Sequence, residues 1–400
     1  MKTKLITTAC ALALAYSIAH AGDHSVDPVK IGILMGFTGP VESLTPDMSA
    51  SAELAFGEVS KSGLFLNGRT IESVRGDSTC TDSAAATTAA ERLVSSEKVA
   101  AILGAACSGA TGAVVAGVAV PNGILTLSPS ATSPGLSTIS DNSLFYRTAP
   151  SDARQGEVLA QITIAKGITE IAVTYTNNDY GKGLADSFTK AFEALGGTAS
   201  VTVPHEDGKG DYSAEVGALS STGASHLLVI GYIDQGGRQI IRQSLDLGAF
   251  ERFVLSDGMI GDALMKELGS QLEGSFGTVP GSDNDASKAF DALAKKAGIS
   301  GSGPFRGESY DAAAVIALAI QSAGTADRSL IAEHVAKVAN APGEKIRAGE
   351  LAKALKILSE GGDVDYVGVS NVEFDEAGDA AGTYRELLVT GGEFQTTKVW

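Results

Sequence analysis

Short apolar runs alternate with helical segments along most of the chain. In its first part the runs fall at residues 29–34, 71–74, 99–103 and 124–127, and helices are predicted at 49–61, 82–96 and 108–118. Each run has the length of a buried strand and is followed by turn-forming residues. Alternating strands and helices are typical of a parallel sheet that helices cover on both faces.

The same alternation restarts after residue 148. Strands are predicted at 171–175, 199–203, 227–230 and 253–255, with helices at 184–195 and 237–245. A late helical segment follows at 286–297, 310–322, 330–338 and 348–357, and strand-like stretches at 366–374 and 386–390 end the chain. The late segment has too few strands for an α/β domain of its own. We therefore expect it to complete the first unit, while the last strands return to the second.

The predicted fold class is α/β, with two doubly wound lobes that have parallel sheets and are joined by three hinge crossovers. A chain of 400 residues is too long for one compact core, which agrees with two lobes. We expect an N-terminal lobe of residues 22–148 plus 280–368 and a C-terminal lobe of residues 149–279 plus 369–400. The hinges are expected near Thr148, Pro280 and Gly368.

Residues 1–21 have the pattern of a secretory signal peptide. Lys2 and Lys4 precede an apolar stretch at residues 5–18, and residues 19–21 (Ala-His-Ala) supply the small residues of a cleavage site. A membrane anchor is the alternative, although the stretch is short for a membrane span. A lipoprotein anchored at Cys10 is disfavoured, because no apolar lipobox residue precedes that cysteine. Export with cleavage would place the mature protein in the periplasm.

Charge and cysteine content narrow the function further. Removing residues 1–21, which hold two lysines and no acidic residue, lowers the formal net charge from −17 to −19. Such an acidic chain would repel phosphate groups, so no nucleic-acid partner is expected. Two cysteines remain, Cys80 and Cys107, and in an oxidising compartment a single pair favours a disulfide over two buried thiols.

The sequence contains no motif that indicates catalysis, and we predict no enzyme activity, metal or cofactor. It lacks the glycine-rich dinucleotide fingerprint, the phosphate-binding loop and the serine nucleophile elbow. The histidines beyond the signal segment do not have metal-ligand spacing: His24, His205, His226 and His334. Residues 283–285 resemble the opening of a calcium loop. Lys288, however, occupies the position of the turn glycine, so a solvated acidic loop is expected.

Candidate binding residues follow the predicted strands, where open α/β sheets bind their ligands. Ser108 follows the third strand, where small residues let an anion approach free backbone N–H groups; an ordinary helix cap is the alternative. Residues 128–134 follow the fourth strand and combine hydroxyls with prolines, as a binding loop or a simple turn would. In the second half the strand ends carry Tyr180, Tyr232 and Asp257, whose alternatives are core or surface tyrosines and a turn aspartate.

These segments, in this order, resemble the Leu/Ile/Val-binding protein family, the branched-chain amino-acid branch of the type I periplasmic binding proteins. The resemblance covers nearly the whole mature chain. It is carried by Val29-Lys30-Ile31-Gly32, Thr38-Gly39-Pro40, Cys80 and Cys107, Ser128-Pro129-Ser130-Ala131-Thr132, Tyr180-Gly181-Lys182-Gly183, Gly231-Tyr232 and Ser309-Tyr310-Asp311-Ala312. It implies a two-lobed protein that closes on a small ligand and delivers it to an ABC transporter without changing it.

The resemblance also implies roles for individual residues. Cys80 and Cys107 match the disulfide of the first lobe. The matching ligand-binding positions are Ser108 for the ligand carboxylate, Thr132 for carboxylate and ammonium, Ser130 for the ammonium through its carbonyl, Ala131 beside them, Tyr180 and Tyr232 as cleft aromatics, Asp257 for the ammonium, and Tyr310 near the side-chain pocket.

Three positions depart from the family pattern. Asp257 is one methylene shorter than the usual glutamate but keeps its charge. Leu44 stands where the family often has an aromatic residue, and Glu42 adds a carboxylate near the pocket mouth. Glu42 is either solvated or in contact with a polar or cationic ligand tail. The ligand is therefore expected to be an amino acid or a similar small molecule, without a narrower identity.

The function predicted is that of the periplasmic substrate-binding component of an ABC transporter, a monomer whose partner is a permease in the inner membrane. A ligand-sensing receptor module of the same fold is one alternative, and a binder of a non-amino-acid carboxylate or amide is another. A secreted enzyme would need a nucleophile and base that converge in the cleft. A purely structural envelope protein would not need hydroxyls at the strand ends.

Overall fold

The computed structural model describes residues 27–400, so the predicted signal peptide lies outside the described residues. The first sheet has five strands, all parallel, in the order β2-β1-β3-β4-β5. The strands are β1 Val29–Met35, β2 Ile71–Asp77, β3 Ile102–Gly104, β4 Thr126–Ser128 and β5 Phe145–Arg147. The helices between them are α1 Thr45–Lys61, α2 Ser83–Glu91, α3 Ser108–Val114 and α4 Val120–Asn122. The inner strands β1, β3 and β4 are almost wholly buried because helices cover both faces of the sheet, whereas the edge strand β2 is mostly half-buried or exposed.

The second sheet begins with a further parallel run. Its strands are β6 Glu170–Thr176, β7 Thr198–His205, β8 Leu227–Ile230, β9 Phe253–Leu255 and β10 Phe276–Pro280. The helices of this part are α5 Asp152–Ala165, α6 Asp179–Ala194, α7 Ser213–Ser220, α8 Gly236–Asp246 and α9 Asp262–Leu268. The predicted α/β class with two parallel-sheet lobes is confirmed.

The late helical segment packs on the first sheet. It comprises α10 Asp285–Lys296, α11 Arg306–Ala323, α12 Arg328–Ile331, α13 Val335–Ala339 and α14 Leu351–Ser359, with the strands β11 Glu344–Ile346 and β12 Val364–Tyr366. Helix α11 is buried on all sides over residues 308–320, since residues 312–320 are all Ala, Val, Ile or Leu. It lies against α1, α13 and α14 and so joins the late segment to the first lobe.

The predicted strand at residues 366–374 is wrong for most of its length. Only Val364–Tyr366 is extended, and β12 pairs with β11 in a separate two-stranded sheet. The chain then turns around the buried Asp311 carboxylate, which accepts hydrogen bonds from the backbone N–H groups of Val369 and Ser370. A buried carboxylate needs such donors, and the turn supplies them at the cost of the strand.

The last two strands complete the second sheet. They are β13 Tyr384–Thr390 and β14 Glu393–Val399, a hairpin whose turn glycines, Gly391 and Gly392, both have positive φ. Strand β13 pairs antiparallel with β10, which gives the order β14-β13-β10-β9-β8-β6-β7. The sheet is thus parallel except at the edge formed by the returning chain.

Three crossovers join the two sheets, and they meet side by side. The Gly281 N–H donates to the Thr383 carbonyl over 2.9 Å, and the Thr383 hydroxyl donates to the Gly281 carbonyl over 3.0 Å. The third crossover lies further along the chain than the predicted Gly368, because Asp379 still forms a β-bridge with Arg147 of the first sheet. Within residues 27–400, no helix is both long and apolar enough to cross a bilayer.

Candidate functional site

The carboxyl ends of both sheets face one cleft, and contacts across it border a partly open cavity, which together with the adjoining open solvent measures ≈ 400 Å³. The Ser133 hydroxyl donates to the Asp179 carbonyl over 3.0 Å. At the rim, the Ser43 N–H donates to Asp234 Oδ2 over 2.8 Å, and the Asp234 N–H donates to the Pro40 carbonyl over 3.1 Å. The cavity is lined by Val41, Leu44, Thr45, Met48, Ala106, Cys107, Ser108, Ser130, Thr132, Tyr180, Tyr232, Asp257, Gly258 and Phe305.

The disulfide holds the start of α3 at the cavity wall. Cys80 and Cys107 are bonded, with Cα atoms 5.2 Å apart, which confirms the predicted pair. Cys107 is the residue that precedes α3, and Ser108 is its first residue. Ser108 is nearly fully buried, and its hydroxyl accepts a hydrogen bond from the Ser133 N–H over 3.1 Å. The disulfide therefore ties the site to the loop that follows β2.

The loop after β4 forms the rest of the first-lobe wall. The Ser128 hydroxyl accepts from the Ala131 N–H over 3.0 Å, and the Ser130 hydroxyl donates to the Ala106 carbonyl over 2.9 Å. Thr132 Oγ1 is buried at the cavity and has no hydrogen-bond partner among residues 27–400. Because buried hydroxyls are normally hydrogen-bonded, this atom is available to a ligand.

Two stacked tyrosines and an aspartate form the second-lobe wall. The rings of Tyr180 and Tyr232 lie 5.3 Å apart with an interplanar angle of 24°. The Tyr180 hydroxyl lies 2.7 Å from Asp257 Oδ1 and 2.9 Å from Ser256 Oγ, and it accepts from the Gly258 N–H over 3.3 Å. These bonds hold the Asp257 carboxylate against the aromatic stack, at the end of β9.

The buried Asp257 carboxylate has no basic side chain beside it in the described cavity lining. Burial raises the pKa of Asp257, and the hydrogen bond from Tyr180 offsets part of that rise. Among residues 27–400, the cavity lining holds this one carboxylate and no Lys, Arg or His. A buried carboxylate without a cation favours a ligand that brings a positive charge.

A second carboxylate, that of Asp152, lies close to Asp257 without lining the cavity, and no sequence pattern indicates it. It is the first residue of α5, its N–H donates to the Thr132 carbonyl over 2.8 Å, and it is fully buried. Neither of its oxygens has a hydrogen-bond partner in the described chain. Burial raises its pKa well above the usual value, and the negative charge of Asp257 adds to the rise. The nearby Thr132 hydroxyl, which forms no hydrogen bond of good geometry with it, and the charge of Arg147 oppose the rise. An acid in the first turn of a helix is ordinary in a sequence, which is why it gave no signal.

The structure brings six of the nine predicted ligand-binding residues to one cavity: Ser108, Ser130, Thr132, Tyr180, Tyr232 and Asp257. The Ala131 side chain does not line it and instead packs in a small core cluster with Leu136 and Phe145. Glu42 is exposed to solvent and does not line it either.

Tyr310 lies away from the cavity, in the core of the first lobe. Its hydroxyl donates to Glu58 of α1 and accepts from the Gly349 N–H over 2.9 Å. The aromatic residue that this region supplies to the cavity is Phe305, just before α11, with a positive φ of 63°. The only sequence signal for it is an aromatic directly after the Gly303-Pro304 turn.

Part of the cavity lining is apolar. Val41, Leu44, Met48 and Phe305 line it together with Ser108 and Thr132, which carry hydroxyls. The position with Leu44 in place of an aromatic residue thus belongs to the apolar part of the lining. Such a cavity suits a small molecule with a polar head that includes a cation and with a short apolar tail.

Comparisons with known proteins agree with this architecture. A family model described as periplasmic binding protein matches residues 28–346. The leucine-, isoleucine-, valine-, threonine- and alanine-binding protein of Pseudomonas aeruginosa is 30% identical over 325 residues, which cover 80% of this chain and 85% of that protein.

Solved structures show the same fold. The leucine-binding protein LivK of Thermotoga maritima has a TM-score of 0.75 at 26% identity, with 93% of this chain and 98% of that chain covered. An ABC-transporter solute-binding protein of R. palustris in complex with benzoate has a TM-score of 0.75 at 18% identity, with 93% and 96% covered. The chain therefore belongs to the periplasmic binding protein family, in its Leu/Ile/Val-binding group, and is a substrate-binding protein of an ABC transporter rather than an enzyme.

Proposed function

We propose that this protein binds a neutral α-amino acid with an aliphatic side chain, in the periplasm, and delivers it as a monomer to a permease in the inner membrane. The observation that carries the proposal is the buried Asp257 carboxylate in a cavity that is lined by both hydroxyls and apolar side chains. The relative from Pseudomonas aeruginosa, named for leucine, isoleucine, valine, threonine and alanine, supports this ligand class.

The polar residues of the lining accommodate both charges of an amino acid. The ligand ammonium pairs with Asp257 and donates a further hydrogen bond to the Ser130 carbonyl. The ligand carboxylate accepts from the hydroxyls of Ser108 and Thr132. Burying two ligand charges is tolerable because each charge gains hydrogen-bonded partners, and charge-assisted bonds are the strong ones.

The apolar residues of the lining accommodate the side chain of the ligand. Val41, Leu44 and Met48 are branched or flexible aliphatic residues, and Phe305 closes the wall. Burial of an aliphatic side chain there contributes roughly 0.8 kcal/mol per methylene. Glu42 and Tyr310 have no part in this proposal, since neither lines the cavity.

An aromatic carboxylate is the competing ligand class, since the R. palustris structure holds benzoate. Here such a ligand would bring an anion next to Asp257 without a cation to compensate either charge. Among the described residues, the cavity lining offers no basic side chain to do so. The charge of the site therefore favours the amino acid.

Thermal unfolding against matched ligands tests the proposal. The panel is leucine, 4-methylpentanoate (leucine without its ammonium), 3-methylbutylamine (leucine without its carboxylate), lysine and benzoate, added to protein refolded to remove carried-over ligand. A ligand at a hundredfold excess over Kd stabilises the folded protein by about 2.7 kcal/mol, which raises Tm visibly.

We expect leucine to raise Tm and 4-methylpentanoate and benzoate to leave it unchanged. The Asp257→Asn variant should lose the shift with leucine, whereas Asp246→Asn, which changes an exposed acid of the same lobe, should keep it. A shift with benzoate and none with leucine would overturn the proposal. Recovery of unchanged leucine after long incubation would agree with binding without chemistry.

A further inference from the structure

Arg147, the last residue of β5, is fully buried and uses its whole guanidinium group. Nε and Nη2 donate to Asp379 Oδ1 and Oδ2 over 2.6 and 2.7 Å, and Nη2 also donates to Ser137 Oγ over 2.8 Å. Nη1 donates to the carbonyls of Ala131 and Ser133 over 3.1 and 2.8 Å. A guanidinium has five N–H donors, and these contacts engage all of them.

The two carbonyls that Arg147 holds flank Thr132 on either side. The carbonyl of Thr132 itself accepts from the Asp152 N–H over 2.8 Å. Three consecutive carbonyls of the binding loop are therefore fixed from behind, while the Thr132 hydroxyl, which has no partner among residues 27–400, remains at the cavity.

The other end of this arrangement lies on the chain that leads to the third crossover. The Arg147 N–H donates to the Gly378 carbonyl over 2.9 Å, and the Ala380 N–H donates to the Arg147 carbonyl over 3.2 Å. Asp379 lies between these two residues, and Ser137 Oγ donates to its Oδ2 over 2.6 Å. We call Arg147, Asp379 and Ser137 the Arg147 cluster. It connects residues that are 232 positions apart in the sequence.

We propose that the Arg147 cluster positions the loop of Ala131, Thr132 and Ser133 for ligand binding and couples that loop to the third crossover. Arg147 and Asp379 are positioning residues, because neither lines the cavity and both act through Thr132. This inference rests on the proposed function for its effect on affinity, but the loop geometry can be measured without any ligand.

A purely structural role would not need this geometry. A buried ion pair gains little net stability over apolar residues of similar size, because removing both charges from water is costly. The bidentate fork fixes direction as well as distance, and the remaining donors point at the loop rather than at solvent. The exposed pair Arg75–Glu53 is also bidentate but holds no loop of the cavity, which makes it the natural control.

The test combines amide hydrogen exchange with a double-mutant cycle. In the unliganded protein, Asp379→Asn should speed exchange at residues 130–133 and 378–380 and leave the second sheet unchanged. Glu53→Gln should change neither segment. For leucine binding by calorimetry, Asp379→Asn should raise Kd by about tenfold, and the milder Ser137→Ala by about threefold.

In the Thr132→Ala background, the effect of Asp379→Asn on Kd should fall to within about twofold, because the residue through which it acts is gone. A tenfold effect that persists in that background would overturn the proposal, as would faster exchange spread evenly over the first lobe. If Asp379→Asn does not fold, hydrogen exchange and calorimetry of Ser137→Ala test the proposal instead. If the wild-type protein binds no ligand of the panel, the proposed function fails, while exchange at residues 130–133 still decides the positioning role.

Discussion

The two walls of the cleft are built in different ways. On the first lobe, small hydroxyl residues lie on backbone that is held in place from behind. Among the described residues, Thr132 is the one whose cavity-lining hydroxyl lacks a protein partner. On the second lobe, long side chains reach into the cleft, and Tyr180, Tyr232 and Asp257 hold one another. The first wall therefore presents fixed backbone geometry, which suits the common head of any amino acid. The second wall supplies the negative charge of Asp257 and the aromatic rings that cover the cleft.

The charge on the second wall should have the largest effect on binding. Asp257→Ala would leave the ligand ammonium buried without a counter-charge and should weaken leucine binding by about 3–5 kcal/mol. Titration calorimetry measures the change, and Asp257→Glu, which keeps the charge, should retain most of the affinity. A loss below tenfold in the alanine variant would show that the second wall does not bind the ammonium.

The open hydroxyl on the first wall should have the next largest effect. Thr132→Ala removes a hydrogen bond to a charged ligand group and should weaken leucine binding by about 1–3 kcal/mol. Thr138→Ala is the matched control, because Thr138 is exposed and, within residues 27–400, its hydroxyl bonds only the Gly135 carbonyl, over 3.3 Å. Equal affinities for the two variants would contradict a role of the first wall in holding the ligand head.

Asp152, which is buried close to Asp257 but does not line the cavity, should affect the pH dependence of stability. Burial raises the pKa of Asp152, so the folded protein holds this proton more tightly than the unfolded chain does. The resulting stability is fully present below the unfolded pKa of about 3.9 and is lost as pH rises through the folded pKa. Asp152→Asn cannot ionise and should be more stable than the wild type by about 1–2 kcal/mol at neutral pH.

Urea unfolding of the unliganded proteins between pH 4 and 8 measures this difference. The gain of Asp152→Asn should shrink toward pH 4, because the wild-type carboxyl is then protonated in the folded protein and about half protonated in the unfolded chain. Part of the slope should remain, because burial raises the pKa of Asp257 as well. A gain that stays constant over this range would mean that Asp152 does not titrate differently in the folded protein.

The residues outside both walls should have the smallest effect. Glu42→Gln and Tyr310→Phe should change the Kd for leucine by less than about twofold, since neither side chain lines the cavity. Tyr310→Phe should instead lower Tm, because its hydroxyl bonds Glu58 and Gly349 in the core. A tenfold loss of affinity in either variant would extend the site beyond the two walls.

Several residues of this site could be predicted from the sequence, because parallel strands end at one edge of a sheet. Residues directly after a strand, such as Ser108 and Asp257, need only the strand assignment to be placed at the cleft. Tyr310 could not be placed in this way. It lies inside α11, where all sides are buried, and the apolar pattern does not tell which side faces the cavity. Phe305 reaches the cavity through a backbone turn that propensity does not predict.

Long-range pairing explains the other differences. The third crossover lies beyond Gly368 because Arg147 and Asp379 meet across most of the chain, and nothing local in either segment announces the contact. The sequence around Asp152 does not indicate its role for a similar reason, since its burial depends on strands and loops that are distant from it in sequence. Local patterns thus predict the elements and their ends, while the contacts between distant segments need the structure.

The disulfide next to Ser108 makes the ligand site depend on oxidation of the newly made chain. Cys107 immediately precedes the residue that begins the first wall, so the crosslink to Cys80 restrains that wall from the moment it forms. Such bonds form in oxidising compartments and are reduced in the cytosol. We expect a newly made chain to complete its ligand site only after it has been exported and oxidised. Cytosolic precursors would then not sequester the nutrient that the cell has just imported.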